Sequence, residues 1–288
     1  MARERNSVRR KLAIASWRGP REPNIYGKLD LDATEALAYL HEVRERTGER
    51  VTLTHLVARA TGAALAEEPT LNGRIRLGKY LPNDRVSLAF LVTMPDGSDL
   101  ARAKVDDVDR KDIATIAAEL RQRAERLRSG TDDDWEKSKQ LVQLFPTWIL
   151  RPIVWFTGWL TASLGVGAKP LGLEPQPFGS GIVTSVGMLG LDEAWAPPTP
   201  FARVPLYVLI GALRQRPVVV DGEVTSRPVL TVTATIDHRF IDGFQAATLA
   251  RTVRRVFEDP WILDRDDNDD GGDRRGEPDV EIDLGERR

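Results

Sequence analysis

The sequence predicts a two-layer α/β sandwich, in which helices pack on one mixed β-sheet. Strand-like and helix-like segments are interleaved along the 288 residues, and this order is typical of domains in which helices cover a sheet. Late in the chain, two apolar runs flank Asp221-Gly222, a dipeptide that strongly indicates a two-residue hairpin. Because a hairpin joins antiparallel strands, we expect a mixed sheet and not a purely parallel one.

The first half of the chain predicts three helices and one buried strand. The helices are expected at about 32–46, 54–66 and 109–128, and the strand at 86–92. Asp32 or Thr34 would cap the first helix and Thr54 the second, since their side chains accept hydrogen bonds from first-turn backbone N–H groups.

The second half predicts strands and a last helix around a candidate reactive group. Strands are expected at 182–186, 206–213 and 229–236, and a helix at 243–257. In the last strand, residues alternate between an apolar face (Leu230, Val232, Ala234, Ile236) and a hydroxyl face (Thr231, Thr233, Thr235). This strand delivers Asp237-His238-Arg239 to its end, where rigid scaffolds often place reactive groups.

The composition excludes several kinds of site and partner. The chain has no cysteine, which excludes disulfides, thiolate zinc sites and a cysteine nucleophile and is consistent with a cytoplasmic protein. A formal net charge of -2 gives no reason to expect nucleic acid as a partner, and no metal is expected. The basic segment Met1–Lys11 is not followed by an apolar stretch, so a secretory signal is not predicted.

We expect one domain at 11–263, preceded by a flexible N-terminus at 1–10 and followed by a disordered acidic tail at 264–288. The tail carries eleven Asp and Glu residues against five Arg residues, a composition that cannot bury enough apolar surface to fold. A hydrophobic insertion interrupts the domain at about 130–180.

The centre of the insertion is a segment of low charge. Residues 144–164 contain a single charged residue, Arg151, and three tryptophans at helical spacing (Trp148, Trp155, Trp159). Pro146 and Pro152 argue against one continuous helix, so we expect a helix from Pro152 to Leu164. Three interpretations remain open for 144–164: a lid or subunit contact packed on the same protein, a peripheral membrane contact, and a membrane span.

The chain has three histidines, and His238 is the candidate for chemistry. His41 lies in a polar helix and His55 in the first turn of another, where a surface or capping role is expected. His238 follows a buried strand and precedes Asp242-Gly243 by four residues. That spacing alone is common by chance.

The residues around His238 resemble a known family signature. It comprises the segment 216–223, Arg227-Pro228 and the sequence Asp-His-Arg-Phe-Ile-Asp-Gly at 237–243, and 257–260 is similar to the close of the family's last helix. Together they resemble the catalytic domain of the 2-oxoacid dehydrogenase acyltransferases, relatives of chloramphenicol acetyltransferase. The resemblance covers about residues 8–263 apart from the insertion. It implies the chloramphenicol acetyltransferase-like fold and transfer of an acyl group between thiols.

The resemblance also implies roles for individual residues. His238 would be the general base, and Asp242 would order the site through an ion pair with Arg10 or Arg18. Thr184 aligns with the hydroxyl that holds the oxyanion, and Ser185 is adjacent. In the family, this hydroxyl and the histidine come from neighbouring subunits, so a homotrimer is implied.

Coenzyme A is the implied acyl-carrying substrate, and dihydrolipoamide or another thiol is the implied acceptor. We expect no covalent lipoyl group on this chain, which would accept acyl groups from coenzyme A or from a lipoyl domain on another chain. The acidic residues after the last helix suggest a trimer that does not assemble further.

Two alternatives stand beside this hypothesis. The first is a non-catalytic scaffold or membrane-docking protein that retains the fold, suggested by the tryptophan-rich insertion. The second is acyl transfer onto a lipid or hydroxyl acceptor, with the insertion as an acyl-binding lid.

Overall fold

The computed structural model describes residues 23–93, 100–132, 146–168 and 172–265. Its strands are β1 (Asn24–Asp32), β2 (Gly73–Arg76), β3 (Lys79–Pro82), β4 (Leu88–Thr93), β5 (Leu100–Val105), β6 (Gly181–Ser185), β7 (Leu206–Val220) and β8 (Glu223–Asp237). Its α-helices are α1 (Thr34–Thr47), α2 (Leu53–Glu67), α3 (Ile113–Arg128), α4 (Thr147–Gly158) and α5 (Gly243–Glu258). A π-helical turn spans Trp159–Ser163, and 3-10 turns span Gly187–Leu189 and Pro260–Leu263.

Six strands form one mixed sheet in the order β1-β8-β7-β6-β4-β5, and β2 and β3 form a separate hairpin. β4, β6 and β7 run parallel to one another, whereas β8 is antiparallel to β7 and to β1, and β5 is antiparallel to β4. The predicted architecture, a mixed sheet covered by helices, is confirmed.

The β7–β8 hairpin is the longest paired unit of the sheet. Its register runs from Leu206 opposite Ile236 to Val220 opposite Glu223. Asp221 and Gly222 have φ values of 51° and 86°, and two positive values suit the turn whose twist matches that of the strands. The predicted hairpin is confirmed, and both strands extend further than the sequence indicated.

The main core lies between the helices and one face of the sheet. Leu230, Val232 and Ile236 of β8 belong to it together with Leu56 of α2 and Leu249 of α5. The predicted apolar face of β8 is therefore confirmed.

The second face of β8 is also covered, which the alternation of polar residues did not indicate. Thr231, Thr233 and Thr235 are each 1% exposed. The segment before β7 crosses this face: Thr233 Oγ1 donates a hydrogen bond to the Ala194 carbonyl, and Thr199 N donates to Tyr207 Oη at 2.8 Å. Thr233 finds its partner in the covering segment, and Thr231 Oγ1 donates to Asp30 Oδ1 of β1 at 2.6 Å, whereas the buried Thr235 hydroxyl has no hydrogen-bond partner among the described residues.

Helix α1 begins one residue away from its predicted caps. Ala33 is the N-cap residue, and Asp32 contributes from outside the helix by accepting a hydrogen bond from Thr34 N at 2.9 Å. Gly48 ends the helix with a φ of 71°, a left-handed conformation that glycine adopts without a steric penalty.

The predicted cap of α2 at Thr54 is wrong, because Thr52 occupies that position. Thr52 is extended (φ −139°, ψ 168°) and forms a capping box with His55. His55 Nδ1 accepts the Thr52 backbone N–H at 3.0 Å. The prediction of a capping role for His55 is confirmed.

The insertion contains a helix that begins earlier than predicted. We expected Pro152–Leu164, but α4 starts at Thr147, after Pro146 as N-cap, and includes Pro152. Pro152 has no N–H to donate, so it removes one helical hydrogen bond without ending the helix. A Cβ on Gly158 would lie 2.6 Å from the Phe201 carbonyl oxygen; α4 is therefore packed against the segment before β7.

Other parts of α4 and its neighbourhood are exposed. Ile153, Trp155 and Phe156 present more than a third of their surface to solvent. In the stretches of chain described above, no helix has both the length and the apolar character needed to cross a membrane.

The His55 cap predicts a pH dependence of stability. Burial lowers the pKa of His55 to about 4 from an ordinary value of 6.5, although the charge of Glu49 acts in the opposite direction. The unfolded chain therefore binds a proton before the folded chain does as pH falls. We expect the free energy of unfolding to decrease between pH 6.5 and pH 4, by at most about 3 kcal/mol from this group.

Urea unfolding of His55→Gln between about pH 7 and pH 4.5 tests this expectation. Glutamine accepts the same capping hydrogen bond but does not titrate, so the decrease should be smaller than in the unmodified protein. His41→Gln changes an exposed residue of α1 and should retain the full decrease. Equal pH slopes in the two variants would contradict the assignment.

Candidate active site

The turn after β8 fixes the position of His238. Phe240 and Ile241 are 3% and 4% exposed, and the Phe240 ring packs edge-on against Tyr80 with 6.2 Å between centroids. The His238 backbone N–H donates to the Pro23 carbonyl at 2.6 Å. Apolar anchoring on one side and a backbone hydrogen bond on the other hold this residue at the end of the strand.

The ring of His238 has a defined hydrogen-bonding arrangement. Its Nδ1 lies 2.6 Å from the backbone carbonyl oxygen of Ile241. A carbonyl oxygen can only accept, so Nδ1 carries the hydrogen, and Nε2 is the nitrogen that can take up a proton in the neutral ring. A histidine that acts as a general base by accepting a proton on Nε2 requires this tautomer.

An ion pair brackets His238 in the sequence. The Arg239 Nε donates to Asp237 Oδ1 at 2.9 Å, and its Nη2 donates to Asp237 Oδ2 at 2.5 Å. The Asp237 backbone N–H donates to the Pro205 carbonyl at 2.8 Å. A two-point contact of this kind fixes geometry as well as charge, so the turn is restrained on both sides of the imidazole.

Asp242 caps the helix that follows the turn. Its carboxylate accepts the Phe244 backbone N–H at 2.8 Å, and the Gln245 side chain accepts the Asp242 N–H at 3.0 Å. A carboxylate is well suited to this end of a helix because the N-terminus carries partial positive charge. Arg10 and Arg18, the expected ion-pair partners, lie outside the described residues.

Thr184 and Ser185 end β6 and point to opposite faces of the sheet. Val183 belongs to the main core and Ile182 to the smaller cluster on the second face. Since side chains alternate along a strand, Ser185 lies on the main-core face and Thr184 on the second face. Only one of the two hydroxyls can therefore serve a given site.

Two glycines hold the loop that follows these hydroxyls against β7. A Cβ on Gly187 would lie 2.6 Å from the Gly211 carbonyl oxygen, and one on Gly211 would lie 1.9 Å from the Asp192 carbonyl oxygen. The pairing of β7 with β8 shifts register between Ile210 and Leu213. The role of Gly211 was missed, although a glycine inside an apolar strand often indicates a bulge or a close backbone approach.

The sheet does not bring Thr184 and His238 together within one chain. Thr184 pairs with Leu209, and Leu209 pairs with Thr233, five residues before His238. Five residues of strand span about 17 Å along the strand, and crossing two strands adds about 10 Å at right angles to it, which gives a separation of about 20 Å. A small reacting group cannot touch both side chains of the same chain.

Within residues 23–93, 100–132, 146–168 and 172–265, no cluster of three or more His, Asp or Glu side chains is placed to hold a metal ion.

The 2-oxoacid dehydrogenase acyltransferases (catalytic domain) match residues 5–137 and 179–263. The chain belongs to this family. The unmatched stretch between the two segments falls within the insertion expected at about 130–180.

Several family members are similar in sequence. The Saccharomyces cerevisiae mitochondrial dihydrolipoyllysine-residue succinyltransferase component is 23% identical over 239 residues, covering 82% of this chain and 42% of the relative. A chloroplastic acetyltransferase component from Arabidopsis thaliana is 27% identical over 237 residues, covering 80% and 40%. The Bos taurus succinyltransferase component is 42% identical over 95 residues, covering 32% and 20%. This chain spans about two fifths of the length of the first two relatives.

Solved structures share the fold. A probable dihydrolipoamide acetyltransferase from Listeria monocytogenes superposes with a TM-score of 0.62 at 18% identity, covering 87% of this chain and 88% of that chain. The Azotobacter vinelandii acetyltransferase gives 0.61 at 20% identity, with 85% of each chain covered. A chloramphenicol acetyltransferase gives 0.50 at 12% identity, covering 89% and 100%. The predicted chloramphenicol acetyltransferase-like fold is confirmed.

The contact at Gly211 predicts a large cost for a single added methyl group. Gly211→Ala should lower the free energy of unfolding by about 1–3 kcal/mol, because the Asp192 backbone must move to admit the methyl group. Gly27→Ala is the control, since a Cβ there meets nothing within 4 Å. Urea unfolding measures both, and equal stability of the two variants would show that the loop is not held in this way.

Proposed function

We propose that this protein is an acyltransferase that moves an acyl group between thiols, with coenzyme A as the acyl-carrying substrate and dihydrolipoamide or another thiol as acceptor. Family membership supports the class of reaction. The observation that carries the proposal is the hydrogen bond between His238 Nδ1 and the Ile241 carbonyl at 2.6 Å, because it puts the ring hydrogen on Nδ1 and makes Nε2 the basic nitrogen.

The proposed reaction balances around Nε2 of His238. The acceptor thiol gives its proton to Nε2, and the sulfur attacks the thioester carbon to form a tetrahedral intermediate. The carbon–sulfur bond to the leaving thiol then breaks. Nε2 returns its proton to the departing sulfur, so the histidine ends the cycle in its starting state.

The oxyanion of this intermediate needs a donor, and we assign it to a hydroxyl from a second copy of the chain. Thr184 is ranked first and Ser185 second. The separation of about 20 Å from Thr184 to His238 within one chain supports a site shared between copies. A closed ring of three copies would create three such sites by repeating one contact.

A relative of known structure supports a site made of a hydroxyl, a histidine and a polar residue four positions after the histidine. Work on the Azotobacter vinelandii acetyltransferase investigated a serine, a histidine and an asparagine in its catalytic mechanism, the last two being four positions apart. His238 and Asp242 have the same spacing. We propose that Asp242 orders the turn by capping α5 and by pairing with Arg10 or Arg18, and does not act as a base.

The acyl group would reach this site on coenzyme A or on a lipoyl domain of another chain. Relatives named as succinyltransferase and acetyltransferase components are both similar to this chain. These relatives support a short acyl group for this chain, but they do not distinguish a succinyl group from an acetyl group.

Replacing the base tests the proposal. His238→Ala should reduce thioester exchange from acyl-coenzyme A by at least about 10²-fold, because the thiol loses its proton acceptor. Exchange is measured by mass spectrometry of the acylated acceptor, and oligomer size by light scattering should not change.

His41→Ala is the matched control, since His41 is exposed on α1, and it should retain full activity. Undiminished exchange in His238→Ala would reject the assigned role. If the unmodified protein showed no exchange with a panel of acyl donors and thiols, the non-catalytic scaffold would be the better account.

The two hydroxyl candidates give opposite expectations. Thr184→Ala should lower kcat by about 10²–10³-fold with little change in KM, the usual cost of removing one oxyanion donor. Thr184→Ser keeps a donor at the same place and should recover most of the activity. Ser185→Ala should be close to unmodified. The reverse pattern in steady-state kinetics would reassign the role to Ser185.

A further inference from the structure

The stretch that the family does not match forms one wall of a small cleft beside the sheet. Ala162 and Gln176 line the cleft from this stretch, Arg74 and Asn83 line it from the β2–β3 region, and Arg203 lines it from the loop before β7. The cleft is open to solvent, and its cavity volume is only about 10 Å³. Several groups that can donate hydrogen bonds therefore converge on one small volume.

Arg203 is held in place by the insertion. Its guanidinium carbon lies 5.4 Å from the centre of the Trp155 ring, and its Nη1 donates to the buried Ser163 Oγ at 3.2 Å. Ser163 comes from the π-helical turn, a feature often associated with functional sites. The backbone of Arg203 has a φ of 52°, an uncommon and costly conformation for a residue with a side chain.

The charge of Arg203 lacks a carboxylate partner within the described parts of the chain. Burial lowers the pKa of Arg203, and the nearby positive charge of Arg239 lowers it further. Its Nε is buried and donates to none of the described residues. A half-buried guanidinium without a counter-ion is unfavourable, so an anionic ligand would relieve a cost already present.

Arg102 provides a comparison, because it also lies over an aromatic ring but has a carboxylate partner. Its guanidinium carbon is 5.3 Å from the centre of the Phe178 ring, as Arg203 is close to Trp155. Arg102, however, is paired with Glu174 at 3.2 Å. Both arginines lie over an aromatic ring, but the described chain supplies a carboxylate partner to Arg102 and none to Arg203.

The cleft is connected to the turn that carries His238. Arg203 precedes Pro205 by two residues, and the Pro205 carbonyl accepts the backbone N–H of Asp237. Arg239, whose charge acts on Arg203, is the ion-pair partner of Asp237. Arg203 and His238 therefore flank the same backbone contact, which joins Pro205 to Asp237.

We infer that Arg203, positioned by Trp155 and Ser163, binds an anionic oxygen group of the acyl-carrying substrate. The planar guanidinium fork matches a carboxylate or a phosphate equally well. Two sources are consistent with this chemistry: the terminal carboxylate of a dicarboxylic acyl group, and a phosphate of coenzyme A. The inference rests on the proposed function for the identity of the substrate, but the binding site stands on the geometry of Arg203.

Equilibrium binding of three thioesters tests the inference without requiring turnover. S-acetylpantetheine carries neither anion, acetyl-coenzyme A carries only the phosphates, and S-succinylpantetheine carries only the carboxylate. Calorimetry gives Kd for each with the full chain, with Arg203→Gln and with the exposed control Arg254→Gln. Arg203→Gln should weaken one or both anionic thioesters by about tenfold or more and leave S-acetylpantetheine unchanged.

The pattern of losses identifies the source and separates this inference from the proposed function. A loss confined to acetyl-coenzyme A assigns the phosphate, and a loss confined to S-succinylpantetheine assigns the carboxylate. The inference would be overturned if Arg203→Gln changed the Kd of all three thioesters equally. It would also be overturned if Arg203→Gln changed no Kd by more than Arg254→Gln does. Arg203→Lys provides a second variant if Arg203→Gln does not fold; it keeps the charge and should show a smaller loss of the same pattern. If Arg203-dependent binding occurred without thioester exchange, the proposed function would fail and the site would stand.

Discussion

The hydrogen bond between the His238 ring and the Ile241 carbonyl is the interaction on which the proposed chemistry depends. It selects the tautomer that leaves Nε2 as the base. The carbonyl is fixed because the Ile241 side chain is buried in the main core, and the next residue, Asp242, caps α5. Hydrophobic burial and helix capping thus determine the orientation of one imidazole.

The register of the sheet imposes the second constraint. Pairing of β6 with β7 and of β7 with β8 places Thr184 level with Thr233, which is two strands across the sheet and five residues along β8 from His238. Because strands are stiff and the register is fixed over many residues, no side-chain rotation can close this distance. A histidine and a hydroxyl on these two strands can cooperate only when a second copy supplies one of them.

Local sequence determined some of these features and not others. The Asp221-Gly222 turn, the alternation in β8 and the helix after Asp242 depend on neighbouring residues and could be predicted. The residues from Asn24 to Lys28 lack the apolar alternation of a strand, and they form β1 because they pair with β8. The burial of Thr233 depends on a covering segment some forty residues away in the chain. Arg203 carries no motif, and its setting arises from contacts with Trp155 and Ser163.

Complementation between two inactive variants tests the shared site most directly. Chains with His238→Ala and chains with Thr184→Ala are expressed together, and mixed oligomers are purified by separate tags. In a mixed ring of three, one of the three sites pairs an intact His238 from one chain with an intact Thr184 from another, so the purified mixed oligomers should recover about a third of the unmodified activity. Mixed oligomers that remain as inactive as either variant alone would contradict a base and an oxyanion donor contributed by different copies.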